Sequence, residues 1–161
     1  MATRSTIALE FADGTVEQVY CHWDGYLDHN GKILQEHYSN PFKLKQLIQL
    51  GALSSLSREI GEKHSFDNPG KYGTPEFDAY RQTVEHMCTF YARDRGEELV
   101  KHTFKDFEDY KENAQFEEYN YILRQVNGKA VWFVSSYRTN DRFVPLADAI
   151  EAEANEKEVA E

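Results

Sequence analysis

A chain of 161 residues, 40% hydrophobic and 14% aromatic, carries enough apolar surface for one core and has the length of a single domain. Its formal charge of -10 argues against ordinary nucleic-acid binding, which requires a basic surface to neutralise phosphates, and leaves room for a basic partner. No apolar run approaches the roughly 20 residues of a membrane span. Met1–Ser5 opens no secretory signal, and Cys21 and Cys88 form no Cys-x-x-Cys motif, which points to a reducing cytoplasm.

In chain order, Ile7, Leu9 and Phe11 alternate with small or polar residues, Asp13-Gly14 signals a turn, and Val16 to Trp23 resumes the strand pattern, so the first element is a hairpin. Residues 28–38 read as a short helix with Ile33 and Leu34 inward. Asn40-Pro41 then supplies an N-cap and a favoured first helical residue ahead of Leu44, Leu47 and Ile48. Ser54 to Gly73, with the breakers Asn68-Pro69-Gly70, reads as a long mobile loop.

Thr74-Pro75 repeats the helix-start signal before Phe77, Tyr80, Val84 and Met87. Cys88 to Arg93 alternates with period two and predicts a third strand with Tyr91, Arg93 and Arg95 on one side. Thr103 to Asp106 resembles a capping box opening a helix that turns Phe107 and Tyr110 inward. Tyr119 to Val126 and Lys129 to Tyr137 flank Asn127-Gly128 as a second hairpin, and Pro145 opens a last helix. The expected fold is α+β: an antiparallel or mixed sheet of about five strands with helices packed mainly on one face. Residues 1–150 form the domain. Residues 151–161 form an acidic tail expected to fray, because beyond Ile150 the apolar face is reduced to small or isolated residues.

Chemistry concentrates in Tyr20-Cys-His-Trp-Asp-Gly-Tyr26 and Tyr91-Ala-Arg-Asp-Arg-Gly-Glu97. If the central strands lie side by side, Tyr20, His22, Asp24, Tyr26, Tyr91, Arg93, Arg95, Glu97 and Asn120 form one ligand-binding set on an open sheet face. Arginine forks suit phosphate or carboxylate and tyrosine rings suit a base, so the set fits a nucleotide-like anion. The plainer alternative is that Arg93, Asp94, Arg95 and Glu97 pair with Asp24 and with one another to tie loops together. A catalytic reading would use His22 as acid or base beside Asp24. His22, Asp24, His29 and His37 have metal-ligand types but match no zinc spacing, and neither a phosphate loop nor a nucleophile elbow occurs, so no cofactor or metal is expected.

The segments Thr3-Arg-Ser-Thr-Ile-Ala8, Val19 to Tyr26, His37-Tyr38, Tyr91 to Glu97 and Glu118 to Tyr121 resemble a family of small tailed-phage and prophage proteins. The resemblance covers nearly the whole chain up to the acidic tail. The chain departs from the family pattern at Leu27 and Ala92, where many relatives carry Pro and Gly. What the resemblance implies is an accessory protein, more a binder than an enzyme, in the cytoplasm of a bacterial host. Its partner would be a host bacterial protein that it inhibits, with an anti-defence role. A second implication is sequestration of a nucleotide signal through His22 and Arg93.

Overall fold

The computed structural model describes residues 2–65 and 73–160. The first hairpin joins β1 (Ser5–Glu10) to β2 (Val16–Cys21). Its loop closes through Asp13, whose carboxylate accepts from the Thr15 amide at 2.9 Å and hydroxyl at 2.6 Å, while Gly14 takes a φ of 93°. The second hairpin joins β6 (Tyr119–Val126) to β7 (Lys129–Ser136). Asn127 and Gly128 are both left-handed there, with φ of 52° and 79°, as a two-residue loop matched to strand twist requires. β1 and β6 pair in parallel, Ser5 opposite Tyr119 through Leu9 opposite Leu123, and this seam unites the two hairpins.

Around them run a π-helical turn (Leu27–Gly31), α1 (Lys32–His37), α2 (Pro41–Ile48), β3 (Leu53–Ser55), α3 (Pro75–Val84), β4 (Thr89–Phe90) and α4 (Tyr91–Arg95). They are followed by β5 (His102–Phe104), α5 (Phe107–Asn113), β8 (Val144–Pro145) and α6 (Leu146–Ala160). The mixed sheet runs β4-β3-β2-β1-β6-β7-β8, with β5 on the same edge of β2 as β3. Among the described residues it has eight strands, not about five. The three additional strands, β3, β5 and β8, are two or three residues long, too short for alternation to register in the sequence.

The larger core lies on one sheet face, where Ile7, Val19, Tyr121 and Val134 meet Leu34 of α1, Leu47 of α2 and Leu146 of α6. The opposite face carries a smaller cluster in which Ala8, Val16 and Ile122 meet Tyr110 of α5. Asn40 and Thr74 cap α2 and α3 as their sequence signals imply.

The structure differs locally from the sequence expectations. Cys88–Arg93 is not a strand: pairing stops at Phe90, and Tyr91–Arg95 forms a helical turn closed by Gly96 at a φ of 73°. Thr103 lies in β5, and the cap of α5 is Asp106, which accepts from the Asp109 amide at 2.8 Å. Of the expected loop, residues 66–72 with the breaker cluster lie outside the described residues. Its earlier part is pinned, Glu59 exchanging bonds with the His86 carbonyl at 2.9 Å and the Cys88 amide at 2.8 Å. α6 continues through the acidic segment to Ala160, and Arg138–Glu156 and Lys157–Asp28 ion pairs connect it to the body.

Candidate functional site

At the end of β2, Tyr20 and His22 share a face, and the Tyr20 hydroxyl meets His22 Nδ1 at 2.8 Å. The His22 ring sets its edge against Trp23, centroids 4.7 Å apart. The chain then turns through Asp24, left-handed at a φ of 56°. Gly25 is required in that turn, since a Cβ there would stand 2.7 Å from Ser5 Cβ and 2.9 Å from the Thr3 carbonyl. Asp24 lines a separate cleft with His29, Ser55, Arg81 and Glu85. Tyr26 is exposed, its ring 6.1 Å from His29.

The second cluster sits across β3. The His22 amide bonds to the Leu53 carbonyl and the Tyr91 amide to Ala52, so β2 and β4 are two strand spacings apart, about 10 Å. Arg93 turns inward: its guanidinium donates to the carbonyls of Ile60 (3.0 Å), Gly61 (3.1 Å) and Cys88 (2.9 Å) and to both oxygens of Asp94. Asp94, fully enclosed, also accepts from the Phe90 amide at 2.8 Å and the His64 amide at 3.1 Å. Burial alone would raise the Asp94 pKa, but the bonds from Arg93, Phe90 and His64 outweigh it and hold it below the ordinary carboxylate range. Arg95 pairs with Glu97 at 2.6 Å on the surface and lies over the Tyr91 ring. Arg93, Asp94, Arg95 and Glu97 thus act as loop ties with one another, without Asp24.

Asn120 belongs elsewhere. It is buried, its oxygen accepting from the Thr6 hydroxyl at 2.8 Å and the Glu117 amide at 2.9 Å while its amide donates to the Glu117 carbonyl at 2.9 Å. It forms part of the floor of an open cavity of about 810 Å³ on the face of β6 and β7 that α5 only partly covers. Four aromatic rings, Phe107, Phe116, Phe133 and Phe143, line it. Arg124 stacks 3.6 Å from the Phe107 centroid and pairs with Glu10 at 3.1 Å, and Lys111 lies over the same ring. Among the described residues, the Arg142 guanidinium and the Ser135 hydroxyl, both lining the cavity, have no hydrogen-bond or ion-pair partner.

The loop that delivers Arg142 and Phe143 is over-determined. Asn140 and Asp141 are consecutive left-handed residues, with φ of 54° and 60°. The single Thr139 hydroxyl proton is shared between the Ser136 carbonyl at 3.0 Å and the Arg142 carbonyl at 2.7 Å, and the Asp141 amide donates to the Ser136 carbonyl at 2.9 Å. Strained backbone retained by such bonding is common where a side chain must be aimed. Behind the floor, the enclosed Tyr110 hydroxyl ends beside Thr6 with no partner in hydrogen-bonding geometry among the described residues. Burial pushes the Tyr110 phenol above its ordinary pKa.

Of the expected set, therefore, the structure joins Tyr20 to His22 and Arg95 to Glu97, and puts Asp24, Arg93 and Asn120 in three different environments. Among the described residues no group of three or more His, Cys, Asp or Glu side chains is placed to hold a metal ion. None of their helices is long and apolar enough to cross a membrane. Compared with known proteins, the chain matches no family model, no curated protein and no solved structure. Sequence reasoning missed the cavity, whose only advance signal was the density of Phe between residues 104 and 143 beside isolated cations.

Proposed function

We propose that this chain is a binding protein whose ligand site is the cavity over β6 and β7, and that its ligand combines an aromatic group with an anionic one. The observation that carries this reading is the joint lining of one cavity by four phenylalanine rings and three cations, Lys111, Arg124 and Arg142, in a chain of net charge -10. Apolar walls supply most of the affinity, and the few polar groups fix orientation. Melting curves with aromatic anions, neutral aromatics and simple inorganic anions test it, since a ligand that binds only the folded state raises the midpoint with its concentration. Aromatic anions are expected to raise the midpoint, and Phe143→Ala to abolish the rise. Flat curves for all three classes overturn the reading.

A second reading is favoured by a different surface. Trp23 and Tyr26, 45% and 40% exposed, flank the Asp24-Gly25 turn, and exposed aromatics of this kind anchor protein interfaces. In that reading the chain is a tailed-phage accessory protein that binds and inhibits a host factor, a defence component, inside the bacterial cytoplasm. Its test is capture from bacterial lysate by the wild type and by Trp23→Ala. Retention of one host protein by the wild type and its loss in the variant are expected, and equal capture by both overturns the assignment to this turn.

A further inference from the structure

We infer that the ligand class of the β6–β7 cavity is a nucleoside phosphate, an inference that rests on the small-ligand reading above. An aromatic acid would need rings and cations only. The cavity also carries two carboxylates, Glu117 and Asp141, and the Ser135 hydroxyl, and none of these three side chains has a hydrogen-bond partner among the described residues. Carboxylates placed beside cations oppose a purely anionic ligand, but they accept from ribose hydroxyls and from exocyclic base amines. The lining therefore asks for a ligand with three parts: a flat ring, a set of hydroxyl or amino donors, and an anionic end.

The cations differ in how free they are. Arg124 is engaged by Glu10 and by the Phe107 ring, and Lys111 by Glu108 at 2.9 Å. Arg142 is the lining cation without an ion-pair partner among the described residues, and its planar fork suits bidentate contact with phosphate oxygens. Arg142 and Phe143 follow the left-handed pair Asn140-Asp141 and both line the cavity, so one loop presents a phosphate fork and a stacking ring together. Asn120 spends its oxygen and one amide hydrogen on Thr6 and Glu117 and keeps one amide hydrogen for a base carbonyl. Phe116, 38% exposed, supplies a second ring at the rim, 6.1 Å from Phe143.

Titration calorimetry on the full chain tests this with four nucleoside 5'-monophosphates, the matching nucleosides, ribose 5-phosphate, inorganic phosphate and an aromatic carboxylate. At least one monophosphate is expected to bind ten-fold or more tightly than its nucleoside and than ribose 5-phosphate. Arg142→Ala, an exposed side chain with no ion-pair partner among the described residues, should bring the monophosphate down to the nucleoside's affinity while leaving the nucleoside unchanged. Glu117→Gln should weaken nucleoside and nucleotide equally. Binding of the aromatic carboxylate with all nucleoside phosphates silent overturns this inference and leaves the small-ligand reading standing. Silence across the whole panel, with a normal melting transition, overturns both. A monophosphate affinity unaffected by Arg142→Ala removes the phosphate assignment.

Discussion

Asp94→Ala should lower the unfolding free energy by about 3–5 kcal/mol, the cost of leaving one partner of a buried ion pair without the other. The Asp94 carboxylate is wholly enclosed and accepts from Arg93, the Phe90 amide and the His64 amide, so its removal takes the counter-charge from Arg93, which keeps its three carbonyl acceptors, and leaves two backbone donors without that acceptor. The Arg93 guanidinium, 12% exposed and lying 4.6 Å over the Phe90 ring, has little access to bulk water. Urea midpoints of the wild type and variant measure the change. A loss below about 1 kcal/mol would place the pair among ordinary surface ties. The same carboxylate gives a pH dependence of known sign. Its pKa in the folded protein lies below the unfolded value, so its stabilisation is complete above the unfolded carboxylate pKa of about 3.9 and is lost as pH falls through the lower folded value. The Asp94→Ala variant should lose that component of acid sensitivity, and the two stability curves should converge in strong acid.

Arg93 also marks where sequence reading stopped. Period-two alternation over residues 88–93 is real, but five residues of helical turn close after Phe90 because Asp94 reaches back to the Phe90 amide and Gly96 adopts the left-handed conformation. Both are local contacts and backbone conformations that a strand pattern hides. The hairpins were legible because their loops carry Asp13-Gly14 and Asn127-Gly128, residues whose chemistry dictates the turn, and α2 and α3 were legible because Asn40 and Thr74 sit ahead of proline. Nothing local announces that β1 pairs with β6 in parallel, a contact spanning 114 residues in Thr6 to Asn120, and the cavity over β6 and β7 lies beside that seam. Asn120 was legible as a candidate ligand-binding residue. Its placement with Phe143 and Arg142, and away from His22, follows from the seam.

Tyr121 shows the same dependence at the centre of the core, and its replacement is the other change with a large expected effect. Ten tyrosines in an acidic chain suit both core and surface, and Tyr38, Tyr110 and Tyr121 are fully buried. Tyr121 stands on β6 opposite Ile7 and Val134, stacks with Tyr119, and sends its hydroxyl to the Gly25 carbonyl at 2.6 Å. It therefore spans from the parallel seam to the turn that follows β2. Burial raises the phenol well above its ordinary pKa, so it remains a donor throughout the neutral range. Tyr121→Phe keeps the ring and leaves the enclosed Gly25 carbonyl without that donor, a loss of about 1–3 kcal/mol. Tyr121→Ala removes the ring as well, and large aromatic-to-alanine changes in cores cost about 3–5 kcal/mol. Neighbours cannot collapse easily into the space: Gly31 approaches the phenol from the π-helical turn, and Gly25 is already in contact with Ser5. The Phe variant should also free the Asp24-Gly25 turn, which hydrogen exchange at the Gly25 amide, bonded to the Thr3 carbonyl at 2.8 Å, will register as lost protection. Equal stability of Tyr121→Phe and wild type, with that protection intact, would mean that the hydroxyl contributes nothing to the turn and that Asn30, which donates to the Trp23 carbonyl and Ser5, holds it unaided.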